Sequence, residues 1–264
     1  MTDEKKSRRI GLSRALSKLG YCSRSQAAEL IRSGQVSLNG SIRRDPETPV
    51  RLERDRILVA GKPVERKQKI YLMMNKPRGV VTTARDEKGR ETVYALLNRA
   101  KRSAATNDSL PWLAPVGRLD KASEGLLLLT NDSEWAALVT APGTHLEKIY
   151  HVQIASVADE PFVSALVRGV RDRRGEMLRA KSARLLRSGQ KNSWLEIVLE
   201  EGKNRQIRRM MEALGVEALR LVRVAIGPLQ LGKLAKGACR PLTSQEKSML
   251  DQAGVELPLT FSRR

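Results

Sequence analysis

The sequence predicts an α+β protein in two units, and three observations carry that prediction. Segments of helical and of strand-like spacing follow one another without the strict alternation that a doubly wound sheet requires. Several strand-like segments stand at hairpin spacing, most clearly Gln35–Leu38 running into Asn39-Gly40. Residues 62–69, charged and carrying Pro63, read as a linker between a first unit at 11–61 and a second at 70–251, with 252–264 as a tail.

In the first unit, Leu12, Ala15, Leu16 and Leu19 have helical spacing that stops at Gly20. Ser23-Arg24-Ser25-Gln26 has capping-box spacing ahead of the apolar Ala27, Ala28, Leu30 and Ile31, and Gly34 ends that helix. The hairpin at Asn39-Gly40 follows, and Arg51–Gly61 reads as a further short strand. In the second unit, Tyr71–Met74 is a buried strand leading to a turn at Asn75–Gly79. Thr92–Leu97 is a short helix, and the polar Arg99–Ser109 reads as an exposed loop. Gly125–Thr130 is an apolar strand, and Asp132 or Ser133 caps a helix through Val139. Tyr150, Val152 and Ile154 alternate with polar positions, as do Leu195, Ile197 and Leu199. Asp159 and Pro161 open a helix that closes at Gly169. Lys203–Leu214 is helical with Ile207, Met210, Met211 and Leu214 on its core face, and Thr243–Glu246 is a second capping box before a terminal helix.

Charge speaks to partners rather than fold. The 264 residues hold 49 Lys+Arg against 29 Asp+Glu, a net charge of +20, of which +9 falls in residues 1–69 and +11 in the rest. A polyanion touching both parts explains this most simply, nucleic acid first, with an acidic membrane surface or plain solubility as alternatives. Aromatic residues make up only 3%, which argues against a surface of many stacked bases and for phosphate contacts with a steep salt dependence. No apolar run is long enough to span a membrane, and the charged N-terminus lacks the apolar core of a secretory signal. Cys22 and Cys239 are far apart, as expected in a reducing cytoplasm, and with His145 and His151 the only histidines, no metal site is expected. Trp112, Trp135 and Trp194 are expected in the core.

Three short helix-and-hairpin segments of the first unit carry Arg14, Lys18, Arg24, Arg32, Arg43 and Arg44. The stretch GLSRALSKLGYCSRSQAAELIRSGQVSLNG resembles the αL RNA-binding module called the S4 domain over about 30 residues. That resemblance implies that the second helix and the hairpin present basic groups to structured RNA. In the second unit, Gly117-Arg118-Leu119-Asp120 sets a carboxylate beside an arginine on a loop next to a buried strand. From composition alone, a surface Asp capping a turn is the better reading of it.

The longer string GRLDKASEGLLLLTND resembles the signature of the RNA pseudouridine synthases, in the form typical of the RsuA-type ribosomal RNA enzymes. YLMMNKPRGVVTT, EKIYHV and EGKNRQIRRMMEALG resemble three further family segments, in order, so the likeness runs over roughly residues 11–250. It implies a catalytic domain with a mainly antiparallel mixed sheet flanked by helices, and an isomerase that turns uridine into pseudouridine without cofactor or metal. It further implies Asp120 as nucleophile or base, Tyr150 as the group stacking on uracil, and Arg208 as the cation keeping Asp120 ionised. Arg118 would enter the RNA helix as the target nucleotide is flipped out. Lys203, Arg205 and Arg209 would face phosphates, and Lys76, also grouped with the RNA-contacting cations, would shape the pocket floor with Pro77. The implied partner is ribosomal RNA or a pre-ribosomal particle, 23S favoured over 16S, and a monomer fits because one chain carries both docking module and site. A non-catalytic RNA-binding assembly factor is the alternative, and it has no use for a carboxylate in a basic groove.

Overall fold

The computed structural model describes residues 9–84, 86–103, 110–141, 144 and 146–255. They gather into two compact units: those of 1–71, 106–114 and 129–133, and those of 72–105, 115–128 and 134–264. Among the described residues no helix is long and apolar enough to cross a membrane.

The first unit contains β1 (Ile10–Gly11), α1 (Leu12–Lys18), α2 (Arg24–Arg32), β2 (Val36–Leu38), β3 (Ser41–Arg43), β4 (Pro49–Val50), β5 (Ile57–Val59) and β6 (Lys62–Pro63). The Ser23 capping box forms in both halves: its hydroxyl accepts from Gln26 N at 3.2 Å and its own N–H donates to Gln26 Oε1 at 3.1 Å. Asn39 (φ 52°) and Gly40 (φ 84°) make the left-handed pair that a tight hairpin demands, so β2 and β3 pair in the expected register. The Asn39 side chain then donates to Asp55 Oδ1 at 2.9 Å and accepts from Arg56 N at 2.9 Å, holding β5 on the other side of β2. Lys62–Pro63, at the front of the expected linker, pairs with β5 as the last strand of a four-stranded sheet, β3-β2-β5-β6. Leu12, Ala15, Leu16, Ala27, Ile31, Val36, Leu38, Val50, Ile57 and Val59 form one buried cluster between helices and sheet.

The second unit carries β7 (Tyr71–Lys76), α3 (Val93–Ser103), β8 (Ala114–Val116), β9 (Glu124–Thr130), α4 (Ser133–Thr140) and β10 (Lys148–Ile154). There follow α5 (Glu160–Arg168), β11 (Val170–Arg171), β12 (Met177–Leu178), β13 (Ser182–Ser188), β14 (Ser193–Leu199) and α6 (Gln206–Ala213). The last elements are β15 (Ala218–Ile226), β16 (Leu229–Gln230), β17 (Cys239–Pro241) and α7 (Ser244–Val255). A nine-stranded mixed sheet runs β13-β14-β10-β15-β9-β7-β17, with β16 on β15 and β8 on β9. β10 is antiparallel to both neighbours, whereas β15 and β9 run parallel over Val222↔Glu124 and Arg223↔Gly125. Val152, Ile154, Leu195 and Ile197 face one side of the sheet, where Leu166 of α5 and Ile207, Met210 and Met211 of α6 cover them. Leu126–Leu129 are fully buried, as expected of a strand covered on both faces. The architecture is α+β.

Besides the strand formed at Lys62–Pro63, β7 runs on through Asn75 and Lys76, where a turn is expected, and α3, α6 and two tryptophans also differ from expectation. α3 continues to Ser103, through residues read as the start of a loop. A surface helix needs only one apolar stripe, here Val93, Leu96 and Leu97, and good helix formers such as Arg99 extend it. The remainder of that expected loop, 104–109, and His145 lie outside the described residues. α6 starts at Gln206, because Arg205 takes a left-handed conformation (φ 50°) that a helix cannot contain. Trp194 is not core: it lies on the outer sheet face between the guanidinium groups of Arg187 and Arg220, 5.3 and 5.5 Å from its ring centroid. Trp112 is half-buried, and Trp135 alone is buried as expected.

Candidate active site

A cavity of about 590 Å³ opens in the second unit. It is bordered by the loop Gly117–Asp120, by Lys148 and Tyr150 of β10, by the approach to α6 at Lys203–Ile207, and by Leu221 and Arg223 of β15. Its volume falls in the range of small-molecule sites.

Asp120 borders this cavity with its side chain 34% exposed. Its loop is fixed at several atoms. The Leu119 carbonyl accepts from Thr82 Oγ1 at 2.8 Å, and Ser123 N donates to the Asp120 carbonyl at 3.0 Å. Just beyond, the Ala122 carbonyl accepts from Arg208 Nη2 at 3.0 Å and the Ser123 carbonyl from Lys76 Nζ at 2.7 Å. The carboxylate thus stands on a turn clamped from two other elements.

The cation at ion-pair distance from Asp120 is Arg205, whose Nη1 lies 3.9 Å from Oδ2. Arg208, expected in that place, spends its guanidinium on the carbonyls of Ala218 and Ala122, each at 3.0 Å. Its charge still acts on Asp120 through space. Burial, followed by the charge of Arg205, holds the Arg208 guanidinium below its ordinary range, while the Asp120 carboxylate pulls the other way. Arg205 and Arg208 are three residues apart, but Arg205 stands outside α6 in a left-handed conformation, so helical spacing does not say which of them meets Asp120.

Tyr150 is half-buried, lines the cavity, and packs against the cluster that holds Val152 and Ile154. Arg118 is exposed at the rim of the cavity. In the first unit Arg14, Arg24, Arg32 and Arg43 are exposed and Lys18 is half-exposed. Lys203 borders the cavity but is paired with Glu201 at 3.1 Å and Glu176 at 3.4 Å.

Two expected RNA contacts are corrected. Lys76 is 0% exposed, and its ammonium donates to the Ser123 and Pro77 carbonyls at 2.7 and 3.0 Å, so no phosphate can reach it. Burial pushes its pKa down to about 8. Arg209 is 9% exposed and ion-paired with both Asp172 and Glu176 of the β11–β12 turn. One helical residue on from Arg208, its side chain points to that turn and away from the cavity.

Sequence reasoning passed over Arg223, Lys148 and Glu124. Arg223 is 6% exposed, in phase with the buried Leu221 and Ala225, and a charged residue in the buried phase of a strand was its legible signal. Lys148 stands in phase with Tyr150 and Val152. Glu124 is 3% exposed, held by Arg220 at 3.0 and 3.1 Å and by Lys236 at 2.8 Å. Burial alone would raise its pKa, but the hydrogen bonds from those two cations bring it below the ordinary range.

Residues 70–213 match the family model described as RNA pseudouridylate synthase, and residues 11–57 match the S4 domain. The chain is 35% identical over 240 residues to the ribosomal large subunit pseudouridine synthase B of Bacillus subtilis (strain 168), spanning 90% of this chain and 94% of that protein. It is 35% identical over 245 residues to a protein of Aquifex aeolicus (strain VF5) named an uncharacterized RNA pseudouridine synthase, spanning 92% and 94%. A crystal structure described as that of a pseudouridylate synthase matches with a TM-score of 0.61 at 30% identity, over 91% of this chain and 99% of the other.

Proposed function

The chain belongs to the RNA pseudouridine synthase family, and from that premise we propose that it converts specific uridines to pseudouridine in ribosomal RNA, that of the large subunit, with Asp120 as its central group. The observation that carries this reading is the Asp120 carboxylate at the edge of a cavity large enough for a nucleoside, with Tyr150 in the same wall.

The reaction breaks the bond between N1 and C1′, turns the base, and joins C1′ to C5. Every atom of the uridine is kept and no electron is gained or lost overall, so the conversion balances without a cofactor. It needs a carboxylate that can add to the sugar and leave, or take the proton at C2′ and return it. Asp120 fills that role, with the Arg205 guanidinium 3.9 Å from its Oδ2. Tyr150 supplies a face on which the uracil stacks and a hydroxyl for proton transfer. A nucleotide must leave its helix to reach the cavity, at a cost of about a few kcal/mol. Arg118, exposed at the rim, offsets part of that by filling the vacated space. The exposed Arg14, Arg24, Arg32 and Arg43 of the S4 domain bind the phosphates of structured RNA.

The test compares ribosomal RNA from a strain lacking the gene with that of its parent by carbodiimide treatment and mapping of reverse-transcription stops. The reading expects loss of a pseudouridine in large-subunit RNA, restored by the wild-type gene and not by Asp120→Ala. An unchanged stop pattern, or full restoration by Asp120→Ala, overturns it.

A further inference from the structure

Besides Lys203, which is paired with Glu201 and Glu176, two cations in the cavity wall have no task in the mechanism above. Lys148 and Tyr150, two residues apart on β10, share a sheet face, and Arg223 is the cross-strand partner of Tyr150 on β15. Residues directly opposite in an antiparallel pair have Cβ atoms about 5 Å apart. A pyrimidine stacked on Tyr150 therefore lies within reach of an ammonium and a guanidinium at once.

Both are poorly compensated. Arg223 donates from Nε to the Leu126 carbonyl at 2.7 Å, while its buried Nη2 has no partner among the described residues. The ammonium of Lys148, half-buried, has one hydrogen bond among the described residues, to the Glu200 carbonyl at 3.2 Å. Burial, and then the charge of Arg223, push the Lys148 pKa below its ordinary value. The carboxylates around the cavity are engaged by other cations: Glu200 by Lys181 at 2.7 Å, Glu201 by Lys203, and Asp120 by Arg205. A buried cation without a counter-charge is unfavourable, and a protein gains by such an arrangement only where negative charge arrives.

We propose that Arg223 and Lys148 form the anion-accepting floor of the uracil site, donating to the carbonyl oxygens of the base and holding its negative charge once it is detached. The inference rests on the isomerase reading and adds to it the stabiliser of the leaving base. When N1–C1′ breaks, its electron pair leaves with the base, which becomes a uracil anion with charge spread over N1, O2 and O4. The sugar is compensated at Asp120, either by a new bond from a carboxylate oxygen to C1′ or by transfer of the C2′ proton to the carboxylate. The return half forms C1′–C5, restores the Asp120 carboxylate and moves the C5 proton to N1. Cations already fixed where that charge develops need no reorganisation at the moment of reaction.

The experiment measures single-turnover rate, RNA dissociation constant and melting temperature for the full-length wild type, Lys148→Met, Arg223→Gln and Arg223→Lys, on a large-subunit RNA lacking the modification. Lys148→Met leaves the Arg223–Leu126 bond intact, so a folding defect in Arg223→Gln does not empty the test. The expected result is a rate lowered by about 100-fold in Lys148→Met and in Arg223→Gln, an RNA dissociation constant within about threefold of wild type because phosphate contacts supply the affinity, and partial recovery in Arg223→Lys. Rates near wild type in Lys148→Met overturn the inference, as does a loss carried by the dissociation constant alone. A wild-type protein that makes no pseudouridine on RNA carrying its target removes the isomerase reading instead.

Discussion

Lys76 shows what a single buried charge does in this fold. Its ammonium binds the carbonyl of Ser123, three residues beyond Asp120, and so fixes the turn that presents the carboxylate. Burial takes its pKa from 10.5 to about 8, which means the folded chain holds that proton less tightly than the unfolded one. Stability then rises with pH across that interval. Wild type is expected to gain stability relative to Lys76→Met between about pH 8 and 10.5 in urea melts at each pH, and a flat difference would contradict the assignment. Arg205 and Arg208 divide a different task. Arg205→Ala, at an exposed side chain, should leave stability within about 0.5 kcal/mol of wild type while slowing turnover. Arg208→Ala should lower both, because the Ala122 and Ala218 carbonyls lose their donor. Equal melting temperatures for the two variants would overturn that division. Which arginine of Lys203–Arg209 meets Asp120 was not legible in the sequence, since a left-handed residue at 205 resets the helix phase and no spacing rule announces it.

Among elements, those with local signals were legible and those made by long-range pairing were not. The Ser23 capping box and the Asn39-Gly40 hairpin are specified within a few residues, and both form as read. Ser23→Ala should cost about 1 kcal/mol in chemical denaturation, and no measurable loss would deny the cap its role. The parallel contact of β9 with β15 joins segments nearly a hundred residues apart and has no local signature, although Gly125 marks it in retrospect. That glycine has φ +103°, and a Cβ there would stand 2.2 Å from the Arg223 carbonyl oxygen. Gly125→Ala should therefore cost at least about 2 kcal/mol, and it should disturb Asp120 and Arg223 together. A variant with wild-type stability would mean that the two strands separate at no cost. The β11–β12 turn, with its Asp172–Arg209–Glu176 ion pairs, was equally hidden, because the partner of its acids lies on α6.

On the scale of the whole molecule, the net charge of +20 and the matches to an S4 domain and an RNA pseudouridine synthase domain fit the proposal of a protein that holds RNA through its phosphates. Affinity should fall by about 10³-fold or more between 50 and 200 mM salt if six to ten phosphates are contacted. Salt-independent binding would move recognition away from the phosphates. Chemistry, by contrast, is assigned to one carboxylate, so binding and turnover must separate cleanly on its removal. The direct test is Asp120→Asn, a change of charge at constant shape, assayed for RNA affinity and for pseudouridine formed on large-subunit RNA. Affinity close to wild type with no pseudouridine is the result this account predicts; turnover at the wild-type rate, or loss of RNA binding in a folded variant, would contradict it.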